Sequence, residues 1–175
     1  MKKKFLDYYM QVADLTGKLS YAIRRQVGAV IVKDNRILSY GYNGMPTGWD
    51  NECEYKEYAG DAGGWLNPDE IYERWPYVEE VTKTTESGEE YKYNARYRLV
   101  TKDEVLHAES NAIAKLAKSN ESGLDATMFI THSPCLDCAK LVYQSGINTL
   151  YYRNSYRDEN GITFLNKAGV TVTKI

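Results

Sequence analysis

The spacing of apolar positions changes twice along the first 48 residues. Phe5, Tyr8, Tyr9, Val12 and Ala13 recur at i, i+3, i+4, i+7 and i+8, which predicts one face of a helix, with Gly17 as its stop. Two short β-rich runs follow, Gly28 to Val32 and Ile37 to Gly41. The polar Lys33-Asp34-Asn35-Arg36 between them makes the pair a hairpin. Tyr42 to Gly48 is dense in turn residues and reads as an ordered loop. From residue 49 to about 100 the pattern becomes charged and tyrosine-rich. There Pro68 to Glu73 predicts a short helix with Asn67 as N-cap and Pro68 at N1. Val81 to Tyr93 predicts a polar hairpin turning at Ser87-Gly88. We read this stretch as an insertion on a single domain spanning residues 1–175, not as a second domain.

Regular alternation returns at Thr101. The next helix opens either there, where Thr101-x-x-Glu104 fits a capping box, or just before His107; Ala108, Ala112, Ile113 and Leu116 supply its buried face. Thr127 to Thr131 reads as a strand. Ser133-Pro134 forms an N-cap/N1 pair opening a helix that carries Cys135 and Cys138. A strand at Thr149 to Tyr152, a helix from about Gly161 to Lys167 and a strand at Val170 to Thr173 complete the chain. The order α-β-β-α-β-α-β-α-β is that of an α/β fold, a mostly parallel sheet with helices on both faces.

Composition narrows the partners. A net charge of −2 and a pI near 5.8 argue against a surface built to grip a nucleic-acid polymer, though a small anion needs only a few local cations. No apolar run is long enough to span a bilayer, and Phe5-Leu6-Asp7-Tyr8-Tyr9 after the basic start is no signal-peptide core. The three cysteines are Cys53, Cys135 and Cys138. An odd, low count with one C-x-x-C points to a reducing cytoplasm and a metal or redox role rather than a disulfide framework. The 16 tyrosines read as amphipathic surface and interface residues.

The chemistry lies in His107-Ala108-Glu109 and in Pro134-Cys135-Leu136-Asp137-Cys138, an H-x-E and P-C-x-x-C pair that is the signature of zinc nucleobase deaminases. Cys135 and Cys138 stand at i and i+3 near a helix start, where the partial positive charge favours thiolate. With His107 they make three ligands, which leaves a fourth zinc position for water and separates a catalytic site from a closed structural one. Zinc lowers the pKa of that water, and Glu109 is the acid placed to move its protons. On a fully helical segment Glu109 would point about 200° away from His107, whereas at a helix start both could flank one cavity. His132, the only other histidine, could in principle replace His107 as ligand; we read it as lining the pocket.

With these residues the chain resembles the cytidine deaminase superfamily, and within it the deoxycytidylate (dCMP) deaminases. The resemblance rests on Val27 to Val32, Gly41-Tyr42-Asn43-Gly44-Met45-Pro46, His107 to Ile113, Ser133 to Lys140 and Ser145-Gly146-Ile147, and omits only residues 49 to about 100. It implies a three-layer α/β/α fold on a five-stranded mixed sheet, and hydrolysis of dCMP to dUMP and ammonia, supplying dUMP for dTTP synthesis. It implies zinc on His107, Cys135 and Cys138, with Glu109 as the proton shuttle. Backbone at Ala108 and Ser133 would bond the cytosine, Asn43 the deoxyribose, and Tyr156, Arg24 and Arg25 the phosphate end. It further implies a homo-hexamer activated by dCTP with Mg²⁺ and inhibited by dTTP, with Gly41, Tyr42, Gly44 and Met45 at the regulatory nucleotide. The pattern is at home among phage enzymes, whose compartment would be the host cytoplasm. Phage-type relatives can carry a second, structural zinc. Here the corresponding stretches read Ser20-Tyr21-Ala22-Ile23 and Asp103-Glu104-Val105-Leu106, with only Cys53 as a soft ligand, so one zinc per chain is expected.

Overall fold

Two consecutive residues with positive φ, Asp34 (51°) and Asn35 (57°), close the first hairpin. This is type I′ turn geometry, which matches the twist of the flanking strands and which Asp and Asn tolerate better than other side chains. The turn joins β1 (Gly28–Lys33) to β2 (Arg36–Tyr42). The computed structural model describes residues 1–60 and 68–175. Its backbone divides into two compact units, Met1–Cys53 with Asp103–Ile175, and Glu54–Lys102. The second lies within the stretch that the sequence marks as an insertion.

In the first unit, α1 (Lys3–Gly17) precedes the hairpin, and α3 (Ala108–Leu116), β6 (Thr127–His132), α4 (Leu136–Gln144), β7 (Thr149–Asn154), α5 (Asn160–Lys167) and β8 (Thr171–Lys174) follow. The sheet is five-stranded in the order β2-β1-β6-β7-β8. β1 runs antiparallel to both β2 and β6, while β6, β7 and β8 are parallel. The parallel half is where helices connect the strands; a tight hairpin leaves no room for a crossover helix, so the other half is antiparallel. Along β1 and β6 alternate residues serve opposite faces. Ala29, Ile31, Met128 and Ile130 join a core with Ala108, Ala112 and Leu116 of α3, Ala139 and Val142 of α4 and Leu165 of α5. Val30, Val32 and Phe129 join Tyr9, Met10 and Ala13 of α1. The result is three layers, α1 on one side of the sheet and α3, α4 and α5 on the other.

Two glycines set the distance between layers. A Cβ on Gly28 would lie 2.0 Å from the Ala13 carbonyl oxygen, and one on Gly41 would lie 2.2 Å from the Ala108 oxygen and 2.4 Å from the Ala112 nitrogen. Backbone therefore touches backbone where α1 meets β1 and where the first turn of α3 meets β2. Gly41→Ala is expected to cost about 1–3 kcal/mol through overpacking and to push the start of α3 outward. Thermal denaturation should show a lowered Tm; an unchanged Tm would mean that the two elements can separate freely.

Three sequence expectations need correction. Tyr8 is not part of the buried face of α1: it is 54% exposed while Met10 is 1% exposed, because the face centres on Tyr9 and Ala13 and Tyr8 lies about 100° round from Tyr9. Thr101 opens no capping box, since it closes a strand, and α3 starts at Ala108 with His107 at its N-cap. Ser133 is not the cap of α4 either; that position belongs to Cys135, and the Ser133 hydroxyl accepts the backbone N–H of Tyr156 at 2.7 Å.

The second unit is an antiparallel sheet of β3 (Glu54–Tyr58), β5 (Glu90–Thr101) and β4 (Tyr77–Thr84), with β5 central, and α2 (Pro68–Arg74). Asn67, the expected cap of α2, lies outside the described residues. The hairpin of β4 and β5 is longer than the pattern suggested, and β3 was not foreseen. One face carries Tyr58, Tyr77 and Tyr97, their rings 5.3–6.0 Å apart. On the other, the Arg96 guanidinium lies 3.8 Å from the ring centroid of Tyr72. Among the described residues no helix is long and apolar enough to cross a membrane.

Candidate functional site

The ends of α3 and α4 that meet on one face of the sheet bring His107, Cys135 and Cys138 into one group, their ligand atoms all within 4.8 Å of one another. His107 has extended backbone (φ −73°, ψ 157°), as does Cys135 (φ −68°, ψ 169°). Both residues are thus N-caps, and Cys138 sits in the first turn of α4. His107 Nδ1 lies 3.6 Å from Cys135 Sγ and 3.4 Å from Cys138 Sγ. A tetrahedral zinc with a nitrogen at about 2.0–2.1 Å and sulfurs at about 2.3 Å separates nitrogen from sulfur by about 3.5 Å. The donor set and its spacing therefore fit zinc, and three ligands leave the fourth position open.

The electrostatics agree with the donor chemistry. Hydrogen bonds from Cys138 and His107 hold the Cys135 thiol down to about 4. The same bond to Cys135, together with burial, pushes the Cys138 thiol up. His107 is raised, first by its contact with Cys135. A dication held between these three donors would favour thiolate on both sulfurs. His132 stands outside the group; its Nδ1 is 3.1 Å from the Thr131 hydroxyl.

Glu109 is 4% exposed. Burial raises its carboxyl to about 7, against its own backbone N–H and His107, which pull it down; its carboxyl also meets the Cys138 thiol. The worry that a helical i, i+2 pair diverges does not arise here. His107 is not yet helical, so the turn between it and Glu109 sends both to the same site.

Four residues from the end of β2 and the loop after it brace this end of α3. Gly41 is the contact point already described. The carbonyl of Tyr42 accepts the Asn111 side-chain N–H at 2.9 Å. Gly44 exchanges two backbone hydrogen bonds with Leu106, the residue before His107. Met45 packs against Ala22, Cys53 and Val105. Asn43 turns the other way: its Oδ1 accepts the Val27 N–H at 2.7 Å and its Nδ2 donates to the Arg25 carbonyl at 2.8 Å. Arg24 lies exposed in the same segment, and Arg25 puts its guanidinium carbon 5.9 Å from the ring centroid of Tyr156. Ala108, fully buried, opens α3, whose first amides have no helical carbonyl to bond. Ser133 gives its N–H to the Asn154 carbonyl at 2.8 Å.

Sequence reading passed over Thr131 and Asn154. The Thr131 hydroxyl accepts the Gly28 N–H at 3.2 Å, and Asn154 Nδ2 donates to the Thr131 carbonyl at 3.1 Å. They tie the strand ends of β6 and β7 together beside the cysteines. A threonine in a β-rich run and an asparagine after one carry no signal for such a role.

A family model for the cytidine and deoxycytidylate deaminase zinc-binding region matches residues 3–154. The deoxycytidylate deaminase of Enterobacteria phage T4 is 37% identical over 154 residues, 86% of this chain and 78% of the relative. The human deoxycytidylate deaminase is 31% identical over 175 residues, 96% of this chain and 78% of the relative. Among solved structures, the dCMP deaminase of the cyanophage S-TIM5 in complex with dCMP and dUMP superposes with a TM-score of 0.73 at 36% identity, covering 100% of this chain and 99% of that one.

Proposed function

The chain belongs to the cytidine and deoxycytidylate deaminase family, and from that premise we propose that it hydrolyses dCMP to dUMP and ammonia. The observation that carries the reading is the buried Glu109 beside three ligand atoms at tetrahedral zinc spacing. The substrate follows from the relatives: proteins named for this reaction match along most of their length, and one of them was solved with dCMP and dUMP.

Zinc held by His107, Cys135 and Cys138 would supply hydroxide near neutral pH. The protein's own groups do the rest. Glu109 takes a proton from the attacking water and delivers it to the ring nitrogen N3. Glu109 then takes the proton of the new C4 hydroxyl and passes it to the amino group, which leaves C4 as ammonia while the carbonyl forms. With a carboxyl near 7 it can both accept and return protons at neutral pH. The N–H of Ala108 and the carbonyl of Ser133 are the groups offered to the cytosine edge. Asn43 holds residues 25–27 with one N–H and one lone pair left for the sugar, and Arg25 with Tyr156 meets the phosphate. The same reading includes a cytoplasmic hexamer supplying dUMP for dTTP synthesis, activated by dCTP with Mg²⁺ and inhibited by dTTP. Its support is the Gly41-Tyr42-Asn43-Gly44-Met45-Pro46 element, whose residues brace the start of α3.

The test follows ultraviolet absorbance on dCMP, deoxycytidine and a cytosine-containing oligonucleotide, with and without dCTP and dTTP. dCMP should be turned over far faster than the other two. Comparable turnover of deoxycytidine would sink the assignment of a nucleotide substrate.

A further inference from the structure

We propose that Arg157, which no motif singled out, is a specificity-determining residue that completes a two-arginine clamp for the substrate's 5′-phosphate; the assignment rests on the nucleotide reading above. The ring of Tyr156 has two guanidiniums beside it, the Arg25 carbon 5.9 Å from its centroid and the Arg157 carbon 5.4 Å away. The two arginines come from distant parts of the chain, and among the described residues neither has a carboxylate in ion-pair range. Their neighbour Arg153 differs, since it is paired with Asp14. Two unpaired cations gathered on one aromatic ring repel each other, and a dianion between them would relieve that repulsion with charge-assisted bonds.

The clamp is fixed relative to the metal ligands from both sides. Tyr156 gives its backbone N–H to the hydroxyl of Ser133, two residues before Cys135, at 2.7 Å. Ser133 N–H to Asn154 O at 2.8 Å and Asn154 Nδ2 to Thr131 O at 3.1 Å hold the loop on the strand end. On the other side the amide of Asn43 holds Arg25 by its carbonyl. His132 lies beside them, its Nδ1 3.1 Å from the Thr131 hydroxyl that accepts the Gly28 N–H. Burial and then the charge of Arg25 lower its pKa, against a smaller opposing pull from Asp14. The group therefore presents two planar cations, a match for a phosphate monoester rather than for a hydroxymethyl group.

Arg157→Ala should lower kcat/KM on dCMP roughly ten- to hundredfold, chiefly through KM, as expected for the loss of one charge-assisted contact. The ratio of dCMP to deoxycytidine turnover should fall by nearly the same factor, and Arg157→Lys should recover part of it. Zinc content, measured in parallel, should not move. A wild-type preference for dCMP that survives Arg157→Ala overturns the assignment, as does an equal loss on both substrates, which would mark a structural role. A wild-type protein without that preference overturns the nucleotide reading itself, and Arg157's role with it.

Discussion

Glu109→Gln will keep the fold and one zinc per chain and lose dCMP turnover by roughly 100- to 10,000-fold, the range that a positioned proton-transfer group contributes. Glutamine matches the size of the carboxylate, so the cavity stays filled, and it removes a group whose burial already costs free energy. The variant should therefore be at least as stable as the wild type. Loss of activity with intact metal content and unchanged or raised Tm would separate chemistry from folding. A structural zinc has no use for a buried acid at this place. If the variant deaminated dCMP at the wild-type rate, the proton route through Glu109 would be wrong.

The same residue shows how far the sequence could be read. His107-x-Glu109 and Cys135-x-x-Cys138 name the chemistry because residue type and spacing within one turn are local properties. What they do not disclose is that His107 and Cys135 are both N-caps with extended backbone. That detail depends on where strand pairing stops: Leu106 is held by Gly44 from the loop after β2, sixty-two positions away in the chain. Placing the cap at Ser133 failed for a related reason. Its hydroxyl has a better partner in the Tyr156 N–H, which periodicity cannot see. The strands β1 and β6 were legible because both faces of each are buried and they read as continuous apolar runs. The strand β3 was not, since Glu54 to Tyr58 carries charge and tyrosine on both faces and owes its existence to pairing with β5. Arg157 is the sharpest case. Beside Tyr156 it is one more charge in a polar loop, and it gains meaning only when Arg25 arrives from the far end of the chain.

Removing a ligand should reach further than removing the acid. Cys138 is buried, it lies 3.4 Å from His107 Nδ1, and it belongs to α4 while the histidine belongs to the start of α3. Metal held between two helices favours the folded chain over the unfolded one, so it stabilises by mass action, by up to about 4 kcal/mol at a thousandfold excess over Kd. For a chain of this size that is worth roughly 8–16 °C in Tm. Cys138→Ala should accordingly lose turnover, bind far less than one zinc per chain and melt well below the wild type. The truncation itself also loses packing, so the decisive comparison uses a chelator. Wild-type protein stripped of metal should drop in Tm by several degrees and recover when zinc is returned, whereas the variant's Tm should respond to neither treatment. A variant that still holds one zinc per chain and still responds to chelation would show that the ligand set is not His107, Cys135 and Cys138. His132, fixed by Thr131 three residues before Cys135, would then be the histidine to replace next.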